Sequence, residues 1–250
     1  MRFRSLWLAT SKKTLGTTKF ACAIGLILSL QPAFARTSLT DTPQSVVVKY
    51  TATSPKAKLT LRVYNYAGLD SASLASSEKV ADTILKDVGI ETAWVDCPVS
   101  GRNSRAYPAC ESPMGTTDLV LRILPRRMAV KLRHSYDSLG FAQTCPFTEP
   151  ACELTVFYHR VDELAARGYR ADRILGHAIV HEIAHVLLGP AHSEEGIMRA
   201  AWTPSDLQHI SLGLQLDFTN DQSTQLRRAV LCRTTPPAPQ GLEQANLIAR

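Results

Sequence analysis

Two histidines and a glutamate occur at a spacing that suits metal-dependent hydrolysis. The segment His181-Glu182-Ile183-Ala184-His185 places its two imidazoles four residues apart, so on a helix they project from one face and can converge on a single ion. Zinc accepts histidine nitrogen, and a catalytic zinc site uses three protein ligands and a water. Glu182 follows the first histidine, where its carboxylate can reach that water and act as a general base.

The third ligand is predicted to be His192, which follows the helix closely. Gly189-Pro190 can make the turn that brings it back, because glycine accepts a positive φ and proline stops the helix. Asp206 is the alternative ligand, although it also fits the third position of a capping box that opens at Thr203. His177 extends the same helix face by four residues and is either a substitute ligand or a buried histidine.

The stretch His181–Met198, HEIAHVLLGPAHSEEGIM, resembles the metzincin clan of zinc metallopeptidases. That clan has two histidines and a glutamate on its active-site helix, a turning glycine, a third histidine and then a Met-turn. Carried over by position, the resemblance implies zinc ligands at His181, His185 and His192, a general base at Glu182, a turn at Gly189 and a methionine beneath the metal at Met198. Here the glycine comes four residues after the second histidine, so the turn is one residue longer than in the clan.

Three aromatic residues and one methionine outside the ligand set have open roles. Tyr158 and His159 are predicted on a strand, where they either border a substrate cleft or form part of an ordinary exposed strand. Trp202 either lines a specificity pocket or packs in the core. Met198 has a core-packing interpretation beside its Met-turn assignment.

The elements that must position these residues follow from periodicity. Alternating and β-branched runs predict four strands, and apolar residues at helical spacing predict four helices. The strands are Lys58–Tyr66, Glu91–Asp96, Asp118–Leu124 and Glu153–Val161, and the helices are Ser73–Val88, Ala171–Leu188, one from Thr203 and one across Gln222–Cys232. We therefore predict an α+β fold in which a small mixed sheet packs on a long active-site helix, followed by a helical C-terminal part.

The N-terminus has the layout of a secretory signal. A basic segment leads into the apolar run Phe20–Leu30 and a small-residue site, Ala33-Phe34-Ala35, so cleavage is predicted before Arg36; retention as an anchor is the alternative. We expect residues 1–35 to be the signal, residues 36–56 a lead-in, residues 57–233 the metallopeptidase domain and residues 234–250 a loose Pro-rich tail. The mature protein is then secreted or periplasmic, without a membrane segment.

Cysteine spacing agrees with export. Five cysteines follow the signal, and the pairs Cys97–Cys110 and Cys145–Cys152 each enclose a short Pro-containing loop. Disulfides are favoured in oxidising compartments, and no C-x-x-C zinc motif occurs. An odd number of cysteines also predicts one leftover thiol.

The charge distribution excludes nucleic acid as an expected partner. The net charge is +6, but residues 1–35 carry five basic and no acidic residues, so the body is nearly neutral. The sequence therefore predicts an exported zinc-dependent peptidase acting on a peptide or protein substrate. The alternative is a secreted zinc-binding or structural module of the same fold without turnover.

Overall fold

The computed structural model describes residues 56–99, 106–132 and 138–234. All of them belong to one compact unit of the chain. The predicted signal, the rest of the lead-in and the tail from residue 235 lie outside the described residues. The boundaries proposed for these segments and for the domain of residues 57–233 remain predictions.

Five strands form one mixed sheet. They are β1 (Ala57–Asn65), β2 (Ile90–Cys97), β3 (Asp118–Leu124), β4 (Gly140–Ala142) and β5 (Cys152–Phe157). Their order across the sheet is β2-β1-β3-β5-β4. Every neighbouring pair is parallel except β4 with β5, which is antiparallel. β4 therefore forms one edge of the described sheet and runs against the direction of the other strands.

The helices are α1 (Ser71–Asp87), α2 (Pro108–Glu111), α3 (Arg126–Ala129), α4 (Tyr158–Ala165), α5 (Ala171–Leu188), α6 (Pro204–Ser211) and α7 (Asn220–Thr234), and a short 3-10 turn covers Val130–Leu132. The predicted bounds of β3 and α5 agree with the structure, and those of β1, β2, α1, α6 and α7 lie within about two residues. The α+β prediction, with a small mixed sheet and a long helix against it, is confirmed.

The long helix α5 is the centre of the core. It packs against α1, α4, α6, α7, β4 and β5. Most of its side chains are buried, polar ones included. Because both the sheet and the other helices contact it, a polar side chain on α5 is held rigidly, and burying it without a partner costs free energy. This is the element that carries His177, His181, Glu182 and His185.

The predicted fourth strand is wrong in its second half. Strand β5 ends at Phe157, and Tyr158 and His159 begin helix α4. The aromatic and β-branched run continues past the strand, so residue type does not mark the change. The helix is favoured because Val161 faces the core and because Arg160 and Glu163 form an ion pair three residues apart, at 2.6 Å.

Both predicted disulfides are present, Cys97–Cys110 and Cys145–Cys152, with Cα–Cα distances of 5.7 and 5.9 Å. The prediction of a leftover thiol is wrong for the described part of the chain, where no cysteine is free. Buried Arg233 connects the second loop to the segment before β3 by donating to the carbonyls of Cys145 at 2.8 Å and Thr116 at 3.0 Å. Within the described ranges no helix combines the length and apolar character needed to cross a bilayer.

Candidate metal centre

Three imidazoles meet at the C-terminal end of α5. Nε2 of His185 lies 3.0 Å from Nε2 of His181 and 3.2 Å from Nε2 of His192. The three candidate ligand atoms all lie within 4.8 Å of one another. His185 is buried, His181 half-buried and His192 exposed, so the group is open to solvent on the His192 side.

The turn after α5 brings His192 back to the helix. Gly189 adopts a φ of 98° and donates its N–H to the carbonyl of His185 at 3.0 Å. A side chain at this φ would be strained. Gly189 therefore permits the turn that brings His192 back to the other two histidines.

Backbone carbonyls fix the orientation of two of the rings. Nδ1 of His181 lies 2.8 Å from the carbonyl oxygen of Ile197, and Nδ1 of His185 lies 2.9 Å from that of Gly189. A carbonyl oxygen only accepts hydrogen bonds, so both Nδ1 atoms carry the proton. In the neutral rings Nε2 then carries an unprotonated lone pair, and both lone pairs point toward the centre of the three-histidine group. Burial lowers the pKa of His181 to about 4, which keeps that ring neutral at pH 7.

Glu182 follows His181 on α5 and lies in a nearly closed environment. Its side chain is only 4% exposed, and its Oε2 atom is buried without a hydrogen-bond partner. Burial raises the pKa of this carboxyl to about 8. A buried carboxyl oxygen without a partner is costly in a purely structural role, so its presence here calls for a function.

The edge strand β4 passes directly over Glu182. A Cβ atom at Gly140 would lie 2.8 Å from Oε1 of Glu182 and 2.4 Å from the carbonyl oxygen of Thr155. Only glycine permits this close approach. Sequence analysis does not predict β4, because a three-residue strand is too short to show alternation.

His177 is not part of the group. Its Nδ1 donates to the carbonyl of Arg173 at 2.8 Å, and its Nε2 accepts the N–H of Leu216 at 3.2 Å. Both nitrogens are therefore used, and the buried-histidine interpretation fits.

Asp206 is also occupied elsewhere. Its Oδ2 accepts from the N–H and the hydroxyl of Thr203, each at 2.8 Å, and its own N–H donates back to that hydroxyl at 3.1 Å. This is the capping box of α6. Arg199 adds an ion pair to the same oxygen at 3.6 Å. In the described chain Asp206 is not grouped with the three histidines.

The remaining candidates divide between the core and other surfaces. Met198 is 1% exposed and packs in the hydrophobic core. Tyr158 lines a separate cavity between α1, α4 and α5. His159 packs on Phe157 with ring centroids 6.2 Å apart. Trp202, by contrast, lies against His181, with centroids 6.1 Å apart and planes perpendicular.

No protein-family model matches the sequence, and no curated protein matches it significantly. Among solved structures, archaemetzincin from Methanopyrus kandleri is 16% identical, with 71% of this chain and 99% of that chain covered and a TM-score of 0.42. Metalloproteinase-II from Bacteroides fragilis is 14% identical, with 72% and 55% covered and a TM-score of 0.43. Myroilysin is 12% identical, with 67% and 72% covered and a TM-score of 0.30.

This chain thus spans about half the length of the Bacteroides fragilis protein. The identities are low and the TM-scores modest, so these similarities leave the function to be argued from the chain's own residues.

Proposed function

We propose that the protein is a zinc-dependent peptidase whose metal is held by His181, His185 and His192. The observation that carries this proposal is the approach of the Nε2 atoms to 3.0 and 3.2 Å while both available Nδ1 protons are committed to carbonyls. Two unprotonated Nε2 atoms at that distance repel each other through their lone pairs, and a cation between them removes the repulsion. Four ligands arranged tetrahedrally at about 2.0–2.1 Å from zinc stand about 3.3 Å apart, so these two Nε2–Nε2 distances fit zinc.

When bound, zinc would supply a Lewis acid that activates water and polarises the carbonyl of the scissile bond. The protein's own contribution is a proton acceptor, for which Glu182 is suited. Its buried oxygen has no competing partner. Burial raises the pKa of Glu182 above its ordinary value, which makes its carboxylate a stronger proton acceptor. Its carboxylate would take the proton of the attacking water and then deliver it to the leaving nitrogen.

The position of β4 supports a peptide as substrate. An extended peptide can add to a sheet edge through main-chain hydrogen bonds, and β4 is an edge strand of the described sheet. Gly140 of β4 lies against Glu182. A peptide paired with β4 would therefore bind to the strand that packs on the Glu182 carboxylate.

Export belongs to the same proposal. Disulfides persist in oxidising compartments, and two are present in the described residues. Cleavage of the signal before Arg36 would release the protein as secreted or periplasmic. N-terminal sequencing of material from the expressing cells tests this: a first residue of Arg36 supports it, and an intact N-terminus contradicts it.

The activity is tested by incubating the purified protein with casein and a peptide library, with and without a chelator. We expect cleavage that the chelator abolishes and added zinc restores. The matched control is Glu182→Gln, which keeps the side chain's size and should keep the metal while the rate falls about 10²–10⁴-fold. Zinc bound at one equivalent without any cleavage would contradict the peptidase and leave a zinc-binding module.

A further inference from the structure

One backbone carbonyl receives two hydrogen bonds beside the three-histidine group. The carbonyl oxygen of Ile197 accepts from Nδ1 of His181 at 2.8 Å and from the indole Nε1 of Trp202 at 3.1 Å. Trp202 and His181 are therefore connected through a single acceptor atom. No described contact links Trp202 to the other two histidines of the group.

The indole ring also contacts the histidines of α5 directly. Trp202 meets His181 and His177 edge-on, with centroids 6.1 Å apart in both cases and planes at 90° and 86°. His177 is itself fixed at both nitrogens. The ring of Trp202 thus contacts both a histidine held by two hydrogen bonds and one proposed ligand.

The surrounding backbone holds Ile197 and Trp202 in place. The N–H of Ile197 donates to the carbonyl of Asp217 at 3.1 Å, and the Ile197 side chain is fully buried. Trp202 directly precedes Thr203, the N-cap of α6, whose capping box fixes the start of that helix. The indole N–H therefore donates to the Ile197 carbonyl from a fixed position.

We propose that Trp202 is a positioning residue for the metal ligand His181, acting through the carbonyl of Ile197. The indole N–H and the ring edge together fix the direction of that carbonyl and the plane of the imidazole, so that Nε2 faces the metal. The inference rests on the proposed zinc site. Its physical basis is that groups bonded to the second nitrogen of a ligating histidine set its tautomer and orientation, and their loss typically costs 10–100-fold in metal affinity.

The test is zinc affinity, measured by chelator competition on the full chain. Trp202→Phe keeps an aromatic ring and removes the N–H. Because Trp202 acts through the partner of the ligand and does not bond to the ligand itself, we expect its Kd for zinc to rise about 10-fold, the lower end of the range for direct partners. The matched control is Trp94→Phe on β2. Trp94 donates its indole N–H to the Thr92 hydroxyl, also at 3.1 Å. In the sheet order, β2 lies at the edge opposite β4 and is therefore far from the site. The zinc Kd of this control should stay within about twofold, the effect of a change of about 0.5 kcal/mol.

A second variant separates positioning from packing. Replacing Trp202 with 3-benzothienylalanine keeps the shape of the ring system and exchanges only the N–H for sulfur, so it remains informative if Trp202→Phe folds poorly. We expect the same weakening of zinc binding, with an unchanged melting temperature of the metal-free protein. Wild-type zinc affinity in this variant would overturn the inference even if the protein is an active peptidase.

The two proposals fail differently. If wild-type protein binds no zinc, the proposed metal centre and the role of Trp202 are both overturned. If wild-type protein binds zinc and the Trp202 variants bind it more weakly, but no peptide is cleaved, the peptidase proposal fails and the role of Trp202 stands.

Discussion

Replacing His177 with glutamine should make the protein more resistant to acid. In the native protein Nε2 of His177 accepts the N–H of Leu216 at 3.2 Å. Protonation of His177 would add an N–H at Nε2, and this N–H would point at the N–H of Leu216. Burial, with smaller effects from Arg173 and His209 opposed by the Arg173 carbonyl and Asp217, lowers the pKa of His177 to about 4. The fold therefore requires the neutral ring.

The sign and size of the effect follow from linkage. Above pH 6.5 His177 is neutral in both the native and the unfolded protein, so it adds no pH dependence. Between 6.5 and about 4 only the unfolded chain binds the proton, and the free energy of unfolding falls as the pH falls. At about 1.4 kcal/mol for each pH unit, the loss by pH 4 is about 3 kcal/mol.

Urea unfolding of the metal-free protein at pH 7.5 and pH 4 measures this loss. Glutamine can still accept the Leu216 N–H but does not titrate, so the loss of stability between the two pH values should be smaller by about 3 kcal/mol in His177→Gln. Other histidines, His181 included, contribute equally to both proteins and cancel. Equal losses in wild type and His177→Gln would refute the reasoning.

Three further predictions concern the site and its support. In chelator competition, His192→Ala should weaken zinc binding by more than about 100-fold, the largest effect expected from a residue that only hydrogen-bonds to a ligand. Asp206→Ala should leave zinc affinity unchanged but lower the free energy of unfolding by about 1 kcal/mol in thermal unfolding, because the capping box is lost. The reverse pattern would contradict the ligand set. Gly140→Ala should lower kcat and should lower the free energy of unfolding by about 1–3 kcal/mol, because its Cβ would lie 2.4 Å from a backbone oxygen and 2.8 Å from Glu182 Oε1. Unchanged steady-state kinetics would exclude this close packing. Arg233→Met leaves two buried carbonyls without their charged donor and should lower the urea-unfolding free energy by about 3 kcal/mol; a loss below about 0.5 kcal/mol, the size of an ordinary surface change, would exclude that role.

Long periodic segments made much of this molecule predictable. Helix α5 spans 18 residues, and on such a helix the spacing of His181 and His185 alone places them on one face. The capping box at Thr203 was likewise readable from four residues and accounts for Asp206 without a metal. Local rules sufficed in these cases because the partners are close in sequence.

The rest depends on contacts that sequence spacing does not encode. The strand over Glu182 is three residues long, and its position follows from pairing with β5. The chain changes from strand to helix at Tyr158, although aromatic residues stand on both sides of the change. Trp202 meets His181 only because the turn from Gly189 and the start of α6 fold back on α5. No local pattern announces that two donors share the Ile197 carbonyl.

The coordination shell of the zinc-loaded protein tests the central claim most directly. A crystal structure at a resolution that defines the ligands, with anomalous data to identify the metal, gives the answer in one experiment. We predict one zinc per chain bound by Nε2 of His181, His185 and His192 at about 2.0–2.1 Å, with a remaining position open to water and Glu182 unbound beside it. A zinc bound elsewhere, or a shell in which the Asp206 carboxylate replaces His192, would contradict the account.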